Sequence, residues 1–442
     1  MNNRLQVEDL TNWFSSGSKS KEKFGIGTEH EQFLYNRESL KRVPYEGEPG
    51  IKQILQKIET LGWNPINEGG NIIGLTKSGA SITLEPGGQF ELSGKNFKTV
   101  HETYSETKEH CDLITKLGGE MGFHNLPVGF DPFWKREDIP WMPKERYEYM
   151  KNWMPKKGSL GLDMMTRTSS IQVNLDFESE EDMVKKAQVA QAFQSVIMAI
   201  FANSPFKERE LNGYKSYRSH IWDDTDNERC GFLSFIFQPN FGFERWTQYL
   251  LDVPMYFIHR DDKYSPANGL TFRQYMNDPQ YNATIDDWEV HVSTVFPDIR
   301  LKKFIELRGA DAGYVNMITS LAAFWVGLFY DETALNNAHS FAMELGLNNI
   351  VGLRSKVAKE GLDTVHNNIA LIDISKKIFK FSKEGLIARA VELNIESEDK
   401  YLAPIEEILT TGKTTADINI EKYNYVWGKD ISQILKRSNC CD

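Results

Sequence analysis

The sequence predicts an α+β fold, and three observations carry the prediction. Strand-like alternation is concentrated before residue 310, and helical periodicity dominates from Tyr314 onward. Ser170–Phe177 (SIQVNLDF) alternates apolar and polar residues without a break. Gly74, Gly79, Gly87 and Gly88 cut Asn71–Ser93 into short strands, the pattern of an antiparallel meander. No internal repeat or low-complexity linker interrupts the 442 residues. A single catalytic domain, 1–442, is therefore expected, with a strand-rich core at about 24–310 and a helical region at about 314–442.

The elements follow in order. Phe24–Tyr35 (FGIGTEHEQFLY) reads as a strand with Glu29 and Glu31 on one face and His30 on the other. Two adjacent carboxylates on a strand face are either an exposed acidic edge or a pair of ligands for a hard metal such as magnesium. The Gly25-x-Gly27 start lacks the third glycine and the helix of a dinucleotide site. Ile51, Ile54, Leu55, Ile58 and Leu61 recur at helical spacing up to Gly62. In the meander, ITLEPGGQFELSG (82–94) brackets a Pro-Gly-Gly-Gln turn with Glu85 and Glu91. A plain hairpin closed by Pro86–Gln89 would put these two on opposite faces, and a glycine bulge would restore a shared face.

Lys98–Leu117 reads as a helix, Phe123–Pro143 as a long ordered loop, and Pro143–Met150 as a short helix. In Ser170–Phe177 the core side is Ile171, Val173, Leu175 and Phe177. Gln172, Asn174 and Asp176 face the other way, as a site or as a half-exposed strand. Ser179 caps a helix predicted to run to about Asn203. Tyr217–Asn227 is read as a charge-dense loop and Asp252–His259 as an apolar strand, followed by a helix over Trp288–Phe296. Arg300–Ala310 alternates as one strand with Arg300, Lys302, Phe304, Glu306 and Arg308 on one face. Glu306 and Arg308 there form either a structural salt bridge or a metal carboxylate beside a substrate-binding guanidinium. Helices are expected at Val315–Tyr330, Asn348–Lys359, Ile369–Leu393, Pro404–Leu409 and around Trp427. The Thr411-Gly-Lys-Thr-Thr segment lacks the first glycine of a P-loop and is read as joining helices.

Net charge is −11, which argues against a nucleic-acid or anionic-membrane footprint. Hydrophobic content of 40% and charged content of 26% are those of a globular enzyme. Cys111, Cys230, Cys440 and Cys441 form no zinc spacing, and the last two fall on an expected frayed tail. Met1–Trp13 has no basic-then-apolar leader pattern, so a cytoplasmic location is expected.

Collected together, Glu29, Glu31, Glu85, Glu91 and Glu306 place five carboxylates beside Gln172, Asn174 and Arg308 on predicted strands. Their mutual repulsion calls for bound cations, and two or three Mg²⁺ ions carrying ATP would supply them. The stretches GTEHE, LEPGGQFELSG, GSLGLDMM, QVNLDF, FANSPF, RSHIWDDTDN, DVPMYF and LRGAD resemble, in collinear order, those of plant-type glutamate–cysteine ligases, which also occur in bacteria. The resemblance implies a glutamine-synthetase-like fold, a curved antiparallel sheet with helices packed outside. It implies ATP-dependent joining of the glutamate γ-carboxylate to the cysteine amine through γ-glutamyl phosphate, the first step of glutathione synthesis. Carried over, the five glutamates become metal ligands, and Gln172 or Asn174 a further metal or phosphate contact. Arg218 and Arg308 become the catalytic and substrate-binding guanidiniums, with Arg167 a further candidate and Trp222 and Tyr256 lining a cysteine pocket. The plant enzymes carry a regulatory cysteine where Ser169 stands, and a second pair around Ser265–Asp286 is missing. A bacterial form with no disulfide-controlled dimer is therefore expected. The rivals are a ligase for another amine, a non-catalytic binding protein on the same fold, and a guanidino-type phosphotransferase.

Overall fold

A computed structural model describes residues 4–261 and 263–437. Cys440 and Cys441 lie outside the described residues. Among the described residues, nine strands form one antiparallel sheet. In chain order they are β1 (Ile26–Asn36), β2 (Asn64–Glu68), β3 (Asn71–Lys77), β4 (Ala80–Leu84), β5 (Phe90–Ser93), β6 (Phe123–Leu126), β7 (Ser170–Leu175), β8 (Ile299–Leu301) and β9 (Ile305–Asp311). The spatial order is β8-β9-β7-β1-β5-β4-β3-β2, with β6 pairing the far end of β1. The predicted α+β class and meander are thus observed.

The sheet has one helical face and one open face, and strand periodicity sorts side chains between them. Ile26, Thr28 and His30 of β1, with Ile171, Val173 and Leu175 of β7, point into the helical layer and are buried. The helices Val100–Met121 and Val315–Phe329 cover that layer. The His30 ring lies 5.2 Å from His110 of the first of these. The second is apolar all round and almost wholly buried, as a central core helix must be. Glu29, Glu31, Gln172 and Asn174 alternate onto the opposite face.

Five sequence readings are corrected. Phe123–Leu126, read as loop, is β6, because four residues are too few to declare a period. The helix expected over 179–203 is broken at Phe193 into Glu180–Ala192 and Gln194–Ile200. Tyr217–Trp222 is a short helix rather than loop, with the Ser216 side chain accepting from Ser219 N–H as its N-cap. Asp252–His259 is not one strand: a helix ends at Asp252, and only Phe257–Arg260 is strand, paired with Lys263–Pro266. Arg300–Ala310 folds as a hairpin, with Arg300 opposite Glu306. Its 302–304 turn has an odd number of residues, so the alternation continues through it and conceals it. By contrast, Thr411–Thr415 does join helices. Gly412 at φ 71° ends one, and Thr414 caps the next by accepting from Asp417 N–H.

Candidate active site

The open face of the sheet forms one wall of a cavity of about 430 Å³. The ITLEPGGQFELSG hairpin sets much of its chemistry. Glu85 N–H donates to Gln89 O at 3.0 Å and Gly88 N–H to Glu85 O at 2.8 Å, leaving a three-residue loop, Pro86–Gly88. Gly88 sits at φ 76°, the left-handed residue such a loop needs. Gly87 allows close contact, since a Cβ there would lie 2.3 Å from Thr166 O. With Leu84 opposite Phe90 and Thr83 opposite Glu91, the odd loop keeps Thr83, Glu85, Gln89 and Glu91 on one face. Glu85 and Glu91 both reach the cavity.

Cross-strand register aligns the remaining acids. Glu31 faces Glu91, and Glu29 stands between Ser93 and Gln172. Glu31 accepts from Ser170 N–H at 3.2 Å and Ser170 Oγ at 2.9 Å. Glu29 accepts from Asn174 Nδ2 at 2.8 Å, and Glu91 from Ser93 Oγ at 2.8 Å and Thr83 Oγ1 at 3.2 Å. These bonds orient the carboxylates without neutralising them. Burial, then the nearby Glu306 and Glu91, pushes Glu29 up to about 7. Burial, followed by the charges of Glu91 and Glu85, raises Glu31 well above the usual carboxylate range. Glu91 rises for the same two reasons, burial first and Glu85 second.

Glu306 differs in kind. It is fully buried and accepts from Arg300 Nη2 at 2.9 Å, Arg308 Nη1 at 3.1 Å and Lys302 Nζ at 3.3 Å. Burial opposes its charge, but Arg300, Lys302 and Arg308 together hold it well below the usual range. The cross-strand pair Arg300–Glu306 is the structural reason, and Arg308 adds a bond to Gln172 Oε1 at 2.6 Å. Glu306 does not line the cavity wall, and Asn174 reaches it only through Glu29.

Arg218 and Trp222 enter the cavity from their short helix. Arg218 is 4% exposed and donates to Arg308 O at 2.8 Å. Two candidates lie elsewhere. Arg167 donates to Asp163 at 3.0 Å and Glu208 at 3.4 Å and covers the Phe130 ring. Tyr256 is packed beneath Arg229, 3.7 Å from its ring centroid. Residues that the sequence reading left unassigned also line the cavity, namely Lys144, Arg146, Tyr147, Ser170 and Arg300. Alternation had put Arg300 on the right face. The KER string at 144–146 carried no periodic signal.

The four lining carboxylates fit a metal that takes hard oxygen ligands. Among the described residues, no three of His, Cys, Asp or Glu gather into a ready-made metal group.

A family profile for glutamate–cysteine ligase family 2 (GCS2) matches residues 25–437. The chain belongs to this family. Glutamate–cysteine ligase, chloroplastic, of Nicotiana tabacum is 44% identical over 438 residues, covering 98% of this chain and 82% of that one. Glutamate–cysteine ligase A, chloroplastic, of Oryza sativa subsp. indica is 43% identical over 442 residues, covering 99% and 88%. The crystal structure of glutamate–cysteine ligase from Francisella tularensis in complex with AMP matches with a TM-score of 0.51 at 12% identity, over 94% of this chain and 87% of that one. That likeness is one of fold. The relatives overturn the expected cytoplasmic location, since both glutamate–cysteine ligases from plants are named chloroplastic. The expectation rested on a missing secretory pattern, and organelle-targeting segments do not follow that pattern.

Proposed function

We propose that this chain joins the γ-carboxylate of L-glutamate to the amine of L-cysteine with ATP, the first step of glutathione biosynthesis. The observation that carries the reading is one cavity with carboxylates Glu29, Glu31, Glu85 and Glu91 on one wall and cations Lys144, Arg146, Arg218, Arg300 and Arg308 around it. Reacting a carboxylate with a triphosphate brings several negative charges together, and a site serves that reaction by neutralising and aligning them. Two or three magnesium ions, held by the four lining glutamates, would shield the phosphate charge when bound. Arg218 and Arg308 fix the substrate carboxylate and the phosphoryl group in line, with Gln172 holding Arg308 in place. A γ-carboxylate oxygen bonds to the γ-phosphorus and ADP leaves with the broken P–O bond. The amine nitrogen then bonds to the acyl carbon of γ-glutamyl phosphate, and inorganic phosphate departs. Trp222 lines the apolar side, against Met164, Met165 and Phe296, where a thiol side chain fits.

The same reading takes the sheet to be curved around the nucleotide, as in glutamine-synthetase-like ligases, with residues 1–442 acting as one catalytic domain. It also takes the chain to be a bacterial form of the plant-type enzyme without a disulfide switch. Ser169 is fully buried, and Cys111 and Cys230 are buried as well. Activity is expected to be the same with and without a dithiol reductant, measured by ADP release, and a large reversible loss with reductant would contradict this.

ADP and phosphate release, measured with ATP, magnesium and glutamate while the amine is varied, tests the proposal. Cysteine-dependent turnover with one phosphate per ADP is expected. Turnover with another amine but not cysteine would reassign the amine, and no turnover with any amine would make the chain a binding protein. ADP release with a phosphorylated product and no free phosphate would indicate a phosphotransferase.

A further inference from the structure

Asp311 ends β9 in the interior, 2% exposed, and does not itself line the cavity. Strict alternation along β9 would send its side chain into the helical layer with Ile305 and Leu307. The pairing with β7 prevents that. Leu307 stands opposite Val173 and Ala310 opposite Ile171, so β9 advances three residues while β7 advances two. This bulge at 308–309 re-aims the strand end, and Asp311 comes to lie opposite Ser170, on the face of the sheet that carries the site. Gly129 leaves room for the carboxylate, since a Cβ there would lie 2.4 Å from Asp311 Cγ.

The carboxylate is engaged by the segments that carry Arg218. Asn203 N–H donates to Asp311 Oδ2 at 2.9 Å and Ser204 Oγ to the same oxygen at 2.6 Å, while Ser216 Oγ donates to Oδ1 at 2.8 Å. A serine hydroxyl has one proton, and with that proton on Asp311 its oxygen is left to accept. Ser204 Oγ accepts from Arg218 N–H and Ser216 Oγ from Ser219 N–H, both at 3.2 Å. The first turn of the helix Tyr217–Trp222 is thus capped by two hydroxyls that Asp311 orients. Six residues are too few for a helix to hold itself, so its seat on β9 is fixed from outside. Asp311 fixes the N-terminal end, and Arg308 O accepts from Arg218 Nη2 at 2.8 Å. Burial disfavours the Arg218 charge, and Asp311, ahead of Glu31, is the carboxylate that most offsets this. An amide has a single acceptor oxygen, so only a carboxylate takes all three donors from their two directions.

We propose that Asp311 is a positioning residue for the reaction: through Ser204 and Ser216 it sets the seat of the Tyr217–Trp222 helix, and with it the place where Arg218 and Trp222 enter the cavity. This rests on the reading of Arg218 as a substrate-binding guanidinium in a ligase site. The test is a double-mutant cycle in steady-state kinetics, with Asp311→Asn, Arg218→Lys and the two combined, each titrated with ATP, glutamate and cysteine in turn. Asp311→Asn is expected to lower kcat/KM about tenfold or more, the worth of a lost charge-assisted contact. It is expected to raise KM for the same substrate whose KM rises in Arg218→Lys. With Arg218→Lys already present, Asp311→Asn is expected to cost about twofold or less, because the two act through one guanidinium. Wild-type kinetics in Asp311→Asn, or the same loss in both backgrounds, would overturn the proposal; the latter is what a merely structural role produces. Should Asp311→Asn not fold, Ser216→Ala takes its place in the same cycle, with the same expectation and the same overturning results. Wild-type protein that releases no ADP with glutamate and cysteine would overturn the ligase reading itself, a result distinct from either outcome of the cycle.

Discussion

Glu85→Gln is expected to lower turnover by about three orders of magnitude or more without unfolding the protein. The substitution keeps size and shape but removes a hard anionic ligand. Glu85 shares its face with Glu91 because the Pro86–Gly88 loop has three residues, so it reaches the same cavity. Its charge helps raise Glu91 and Glu31 above the usual carboxylate range, in each case after burial. Removing that charge relieves repulsion in the metal-free protein, so the melting temperature should hold or rise. Turnover with saturating ATP, glutamate and cysteine, together with thermal unfolding in chelator, checks both halves. Near wild-type turnover would take Glu85 out of the metal-binding set.

The same exchange at Glu306 is expected to do the reverse to stability. Glu306→Gln leaves Arg300, Lys302 and Arg308 around a neutral amide in a buried place. Breaking a buried ion pair from one side typically destabilises by about 3–5 kcal/mol, since the partners stay desolvated. Here Arg300 has a side-chain exposure of 7% and Arg308 of 11%, so little solvent is available to compensate them. Chemical denaturation is expected to show a markedly lower midpoint. Wild-type stability combined with lost turnover would instead make Glu306 a metal ligand and Arg300 its incidental neighbour. The two glutamates thus separate, in one pair of experiments, an acid that serves ligand from an acid that serves the fold.

What the sequence revealed followed what each signal depends on. Strand periodicity is local, so the two faces of Ser170–Leu175 and the pairing of Glu29 with Glu31 were readable directly. Hairpin parity depends on loop length to the residue, and Pro-Gly-Gly-Gln allowed either parity until Gly88 was seen in the left-handed region. The partners of Glu306 depend on a cross-strand register, and the alternation of Arg300–Ala310 was compatible with one strand or two. Both readings of Glu306 were open in the sequence, and only the fold shows three cations on it. Arg167 and Tyr256 have the right chemistry, but tertiary packing pairs them with Asp163 and Arg229. Lys144 and Arg146 were missed because they sit at the N-terminal end of a short helix, Glu145–Trp153, whose approach to the sheet is set by contacts with the hairpin, far away in sequence.

The central claim is that the glutamate γ-carboxylate is phosphorylated by ATP in this cavity before the amine attacks. It is tested most directly with L-glutamate carrying ¹⁸O in the γ-carboxylate, incubated with ATP, magnesium, cysteine and the enzyme. The phosphate released is then analysed by mass spectrometry. One labelled oxygen transferred to phosphate per γ-glutamylcysteine formed is expected, because that oxygen becomes the bridge of the acyl phosphate and leaves with phosphorus. Product formation with unlabelled phosphate would contradict the account.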